Sequence, residues 1–218
     1  MNHLTFFERR AVWACVALIG SYIFCQALAD VGATRLVEVW GVALPAGTFV
    51  FAATFTLRDL IHRRLGREWA RASIGIAALL NLAMALYLYG ASLLPAPAYY
   101  SLSEPWAQIF KFVPPIVIGS ILAEVVSELV DTEVYHALRR RSPWLRVLLS
   151  NAVAQPLDSA VFAFLAFWLL PHALGGDPLP AAALPGLIVG QTVWKWLVTA
   201  ISLPAIYLVG DTWADREK

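Results

Sequence analysis

Charge is scarce in this sequence. Asp, Glu, Lys and Arg make up only 14% of it, against about 25% in an ordinary soluble domain. The net charge of +1 supplies no field that would gather nucleic acid, so a nucleic-acid partner is excluded. Cysteine is nearly absent. Cys15 and Cys25 lie in one apolar run, without a metal-ligand spacing. The four histidines, His3, His62, His136 and His172, never cluster, which argues against a metal site. Phosphate-loop, HExxH and GxSxG signatures are missing, and Ser127, Ser150 and Ser159 have no histidine nearby in sequence. These absences leave no basis for an enzyme or for a cofactor.

Apolar residues fill the space that charge leaves. They make up 60% of the 218 residues, and mean hydropathy is +0.67. A soluble domain could not cover so much apolar surface, whereas a bilayer removes the need to. The pattern predicts an all-α membrane protein forming one domain over 1–218. Its six transmembrane helices fall at about 11–29, 46–65, 72–91, 112–138, 147–170 and 187–209. Gly66 breaks the second from the third, and Pro114-Pro115 sit in the first turn of the fourth, where missing N–H groups cost little. Tyr99, Tyr100 and Trp106, in the loop before the fourth span, suit the headgroup layer. Gly186 and Gly190 form a GxxxG at the head of the sixth, which suits close helix packing.

The distribution of basic residues sets the orientation. With both termini cytoplasmic, the inner segments hold Arg9, Arg10, Arg63, Arg64, Arg67, Arg71, Arg139, Arg140, Arg141, Arg146, Arg216 and Lys218, and the outer loops hold only Arg35. That asymmetry follows the positive-inside rule, and five or seven spans would spoil it.

A few charges remain in or near the spans: Arg58, Asp59, Lys111, Glu124, Glu128, Asp131, Asp158 and Lys195. Each costs about 2.5–3.5 kcal/mol at helix centre and should pair, face the protein interior or line a path. At about 1.5 Å per residue, Asn81, Glu124, Asp158 and Lys195 fall at one depth on four helices. Glu128 and Asp131 lie deeper toward the cytoplasm. Within each helix the polar groups share a face: Glu124, Glu128, Asp131 and Tyr135; Asn151, Gln155, Asp158 and Phe162; Gln191, Lys195 and Thr199. Lys195 and Asp158 each need a counter-charge and are expected to supply it to one another. Pro156 should free a carbonyl near the same level.

One polar chamber is the expected result, with a solute site drawn from Asn81, Arg58, Asp59, Glu124, Glu128, Asp131, Asn151, Gln155, Asp158, Phe162, Trp194 and Lys195. Carboxylates accept paired N–H groups, amides donate and accept, and Phe162 or Trp194 could stack on a flat heterocycle. A structural polar network, or plain lipid and core packing for the aromatic residues, remains the simpler alternative.

Four segments carry a family resemblance: FAATFTLRDLIHRRLG (Phe51–Gly66), AEVVSELVDTEVYHALRRR (Ala123–Arg141), SNAVAQPLDSAVFAFLAFW (Ser150–Trp168) and WKWLVTAISLPAIY (Trp194–Tyr207). Together they resemble the queuosine precursor transporter family, earlier described as a vitamin uptake family. The resemblance implies a multi-pass protein of the bacterial inner membrane. Its substrate would be a deazapurine, 7-cyano-7-deazaguanine or 7-aminomethyl-7-deazaguanine. It also implies a helical arrangement similar to the substrate-binding components of energy-coupling-factor transporters, without an obligatory ATPase. Asp59, Glu124, Asp131, Gln155, Asp158 and Lys195 match the family's pattern. A homodimer stays open, as do two other functions: a solute-binding subunit of an ATP-driven vitamin or nucleobase importer, and a membrane structural protein.

Overall fold

The computed structural model describes residues 6–138 and 140–208. The expectations for residues 1–5, Arg139 and the tail from 209 on, with Arg216 and Lys218, lie outside the described residues. The chain is mostly helical. In order, it forms α1 (Phe6–Gly32), β1 (Leu36–Val39), β2 (Val42–Pro45), α2 (Thr48–Leu65), α3 (Arg67–Ser92), α4 (Ser103–Phe110) and α5 (Val113–Ala137). Next come α6 (Pro143–Phe164), a π turn (Leu165–Leu169), α7 (Leu170–Ala173), a 3-10 turn (Ala181–Ala183) and α8 (Leu184–Leu208).

Among the described residues, five helical segments are long and apolar enough to cross a membrane: Val12–Gly32, Glu68–Ser92, Ser103–Asp131, Leu148–Ala173 and Ala181–Ser202. α2 is not among them. Its second half carries Arg58, Asp59, Arg63 and Arg64, so its composition alone does not suit lipid. It nonetheless packs against α1, α3 and α8, and Ala52, Thr54 and Ile61 are buried.

The side chains are distributed for a membrane. Trp13, Phe24, Leu79, Leu86, Leu129, Val153, Val193 and Ile201 are all exposed. The buried core is built largely of alanine: Ala29, Ala33, Ala52, Ala70, Ala77, Ala85, Ala123, Ala154, Ala163 and Ala166. Lipid tails are as apolar as leucine, so helices gain little by hiding large apolar side chains from them. Small residues that let backbones approach closely serve better. Gly119 of α5 shows this, because a Cβ there would lie 3.0 Å from the Cβ and backbone N of Ala166. Ala166 sits in the π turn. Just beyond that turn Pro171 offers no N–H, and the Phe167 carbonyl instead accepts the Leu179 N–H at 2.8 Å. The helix runs unbroken through Pro156; the carbonyl that Pro156 leaves without its partner belongs to Ala152, an exposed residue.

Between α1 and α2 the expected loop is an antiparallel hairpin. Leu36 pairs with Pro45 and Val39 with Val42. Trp40 and Gly41 both have positive φ, 52° and 78°, the requirement of a two-residue turn that matches strand twist. The Ala46 N–H donates to the Arg35 carbonyl at 2.8 Å and closes the base. β2 lies on α8 at Gly190, where a Cβ would meet the Ala43 carbonyl oxygen at 2.6 Å. Gly190 thus admits a strand rather than a helix, and nothing lies within 4 Å of a Cβ at Gly186. Gly66, with φ of 94°, separates α2 from α3 as expected.

Gly47, at the head of α2, packs tightly on the end of α1. A Cβ there would collide with the Ala29 carbonyl and the Ala33 N–H. Gly47→Val should lower stability by about 1–3 kcal/mol through overpacking, read as an earlier thermal unfolding midpoint in detergent. An unchanged midpoint would contradict this packing.

Candidate functional site

Polar side chains face inward from six helices. α1 contributes Tyr22, Gln26 and Asp30, four residues apart on one face and each no more than 3% exposed. On α5, Ser120 and Ser127 interleave with Glu124 and Asp131. α6 brings Asn151, Gln155, Asp158 and Ser159, and α8 brings Gln191, Lys195 and Thr199, all buried. α2 adds Thr48, Thr54 and Arg58, and α3 adds Asn81.

The expected pair forms. Lys195 Nζ donates to Asp158 Oδ2 at 2.5 Å, and both side chains are almost fully buried. Lys195 also donates to Ser159 Oγ at 3.0 Å and lies 5.2 Å from the centroid of the Phe51 ring. Ser127 Oγ donates to Asp158 Oδ1 at 3.3 Å. Asn81 does not join this pair; its Nδ2 donates to Asp30 Oδ2 at 2.7 Å. Glu124 Oε1 accepts Tyr22 Oη at 2.8 Å and Gln26 Nε2 at 3.3 Å. Gln26 Nε2 also donates to Tyr22 Oη at 3.0 Å.

Two cavities open among these groups. The one at the hairpin end spans about 330 Å³, open space at its mouth included, and its polar lining is Asp30, Thr48, Ser120, Asp158, Gln191 and Lys195. Phe51 and Phe162 are its aromatic lining, and Pro45 and Gly47 line it as well. The second spans about 210 Å³, open space included, among Tyr22, Thr54, Phe55, Arg58 and Glu124. Phe51 and Asp158 line both. Gln191 Nε2 is buried without a hydrogen-bond partner among the described residues, although the group lines the first cavity. An unpaired buried donor costs about 1–3 kcal/mol, a cost that a carbonyl on a bound solute would remove.

Of the expected residues, Asp158, Phe162 and Lys195 line the first cavity, and Arg58, Glu124 and Asp158 line the second. Asn81 touches the first only through Asp30. Asn151, Gln155 and Thr199 form a separate hydrogen-bonded layer: Gln155 Nε2 donates to Asn151 Oδ1 at 3.1 Å and to Thr199 Oγ1 at 2.7 Å. Glu128 pairs with Arg58. Asp131 lies one turn further along α5, with Oδ1 unbonded among the described residues. Asp59 follows Arg58 on α2 and lines neither cavity. Trp194 turns edge-on to Phe49, with ring centroids 4.7 Å apart, and also lines neither.

Sequence reasoning missed Tyr22, Gln26, Asp30, Ser120, Phe51 and Gln191 as site residues. The signal for α1 was present as three polar residues at four-residue spacing, but ending the first span at 29 placed Asp30 in a loop. Gln191 already shared a face with Lys195. Phe51 has no signature, because one aromatic residue in an apolar run reads as packing. Among the described residues, no group of three His, Cys, Asp or Glu is placed to hold a metal ion.

Comparison with known proteins adds the family. The model of the family described as "Putative vitamin uptake transporter" matches residues 45–209, more than half of the chain. The chain belongs to this family. It is therefore a multi-pass membrane transport protein rather than an enzyme. It is also similar to a "Probable queuosine precursor transporter" of Bacillus subtilis (strain 168), at 28% identity over 190 residues, covering 84% of this chain and 79% of that protein. No solved structure matches the chain. The region that the family model matches includes α2, α5, α6 and α8, whereas Tyr22, Gln26 and Asp30 precede it.

The buried pair gives a test by double-mutant cycle. Lys195→Met and Asp158→Leu should each destabilise the protein by about 3–5 kcal/mol, because each leaves an uncompensated buried charge. The double variant should be more stable than either single one. Additive losses would show that the pair does not stabilise the bundle as a unit.

Proposed function

We propose that this chain imports queuosine precursors, 7-deazaguanines bearing a cyano or an aminomethyl group, across the bacterial inner membrane. The reading has the whole chain as one transporter domain of six crossings, with α2 as the sixth and both termini cytoplasmic. α2 is tolerable there because three helices surround it and because Arg58 is paired with Glu128. The hairpin then lies on the outer side, and the first cavity opens toward the substrate's side of entry.

The observation that carries the reading is the chemistry of that cavity. It combines two carboxylates, an ammonium and a free amide N–H₂ with two phenyl rings. A deazaguanine is a flat bicycle with an exocyclic amine, ring N–H groups and one carbonyl. In our assignment Asp30 and Asp158 accept from the N–H groups. Gln191 donates to the carbonyl, and Phe51 and Phe162 cover the ring faces. Asn81 and Ser120 hold Asp30 in place, and Lys195 and Ser127 hold Asp158. Asn151, Gln155 and Thr199 support α6 against α8 and make no contact with the solute. The similar B. subtilis protein, whose name gives a queuosine precursor as its cargo, supports the same substrate class.

The test is flux through the purified chain alone. In proteoliposomes it should take up labelled 7-cyano-7-deazaguanine saturably, with competition by the aminomethyl analogue. Gln191→Leu and Asp158→Asn should each lower uptake about ten-fold or more, since each removes a buried hydrogen bond to the solute. Saturable binding without flux would instead favour a solute-binding subunit that needs an ATPase partner. Neither binding nor flux would end the reading.

A further inference from the structure

The second cavity holds a carboxylate that the solute assignment leaves unused. Arg58 is paired with Glu128 and Lys195 with Asp158. Glu124 is in neither. Its hydrogen bonds come from two neutral donors, Tyr22 Oη and Gln26 Nε2. The groups facing it are Tyr22 on α1, Arg58 on α2 and Asp158 on α6, all around one cavity. Glu128 lies one turn away on its own helix, Asp30 one turn beyond Gln26 on α1, and Lys195 of α8 is held by Asp158. Negative charge is therefore in surplus at this level, and Arg58 is already committed to Glu128.

We propose that Glu124 is a proton-binding site that couples solute import to a pH gradient, so that transport is a solute–proton symport. The proposal rests on the transport reading above. A proton from the outer side adds to the Glu124 carboxylate and makes the carboxylic acid; its release on the inner side regenerates the carboxylate. With Glu124 protonated, each remaining cation in the two cavities keeps one anionic partner. Protonation removes one uncompensated charge from the solute path, so its rearrangement through low dielectric costs less. Coupling runs through Asp158, the one titratable group that lines both cavities. A solute bonded to Asp158 draws its charge toward the first cavity and changes the field at Glu124.

The experiment uses the full chain in proteoliposomes, with labelled 7-cyano-7-deazaguanine as the probe and the membrane potential clamped at zero by potassium and valinomycin. At equal pH on both sides, wild-type protein should exchange labelled for unlabelled solute. With the lumen one pH unit more alkaline than the bath, it should accumulate label about ten-fold per coupled proton, the ratio equivalent to that gradient. Glu124→Gln should bring label only to the bath concentration, however slowly, whatever the pH gradient. Wild-type protein that exchanges but does not accumulate overturns the coupling and leaves transport standing; this arm needs no variant. Glu124→Gln that accumulates like wild type overturns the role of Glu124. So does a variant that moves no label at all, because loss of the proton carrier alone leaves the solute path open. Absence of wild-type exchange overturns the transport reading itself.

Discussion

Lys195 and Asp158 are 1% and 2% exposed, each within a helix long and apolar enough to cross a membrane, and neither charge could stand there alone. Pairing them demands that α6 and α8 present these faces to each other. It also leaves Ser127 and Ser159 to satisfy the remaining bonding capacity of the pair. The same requirement recurs at lower charge throughout the bundle. Asp30 needs Asn81 from α3, Glu124 needs Tyr22 and Gln26 from α1, and Arg58 needs Glu128 from α5. Because lipid offers no water to a stray polar group, each of these contacts ties two helices together. The interior is thus specified by polar matching and the exterior by apolar side chains, the reverse of a soluble core.

Residues that obey one physical rule were readable without coordinates. The long helices other than α2 followed from apolar runs of membrane length, and Gly66 and the prolines of α5 marked boundaries because their backbone chemistry is local. The Lys195–Asp158 pair followed from the cost of a lone buried charge. Residues whose role depends on a distant partner were not readable. Asp30 seemed to be the start of a loop until α3 brought Asn81 to it. Phe51 and Phe162 came to line one cavity only once α2 and α6 were placed. Depth alone put Asn81 with Asp158 and Lys195, but rotation about the helix axis decides contacts, and Asn81 turns to α1. The hairpin escaped notice because four-residue strands lack a period long enough to recognise, and Trp40 is not a residue expected at positive φ.

Two cavities with a shared wall give this arrangement its functional sense. The first is lined by two carboxylates, an ammonium, an unpaired amide N–H₂ and two aromatic rings. The second has a titratable group without a cation of its own. Asp158 and Phe51 line both, so what occupies one space is felt in the other. Membership of a transporter family and likeness to a protein named for queuosine precursors agree with that chemistry. The close backbone approaches at Gly47, Gly119 and Gly190 hold α1, α2, α5, α8 and the hairpin near enough for these walls to meet.

The most direct test is made in a living cell. A bacterium that lacks both precursor synthesis and its own importer has no queuosine in its tRNA. Supplied with this chain and with low external 7-cyano-7-deazaguanine, it should regain tRNA queuosine, measured by mass spectrometry of digested tRNA. Undetectable queuosine with the chain present in the membrane would contradict the account.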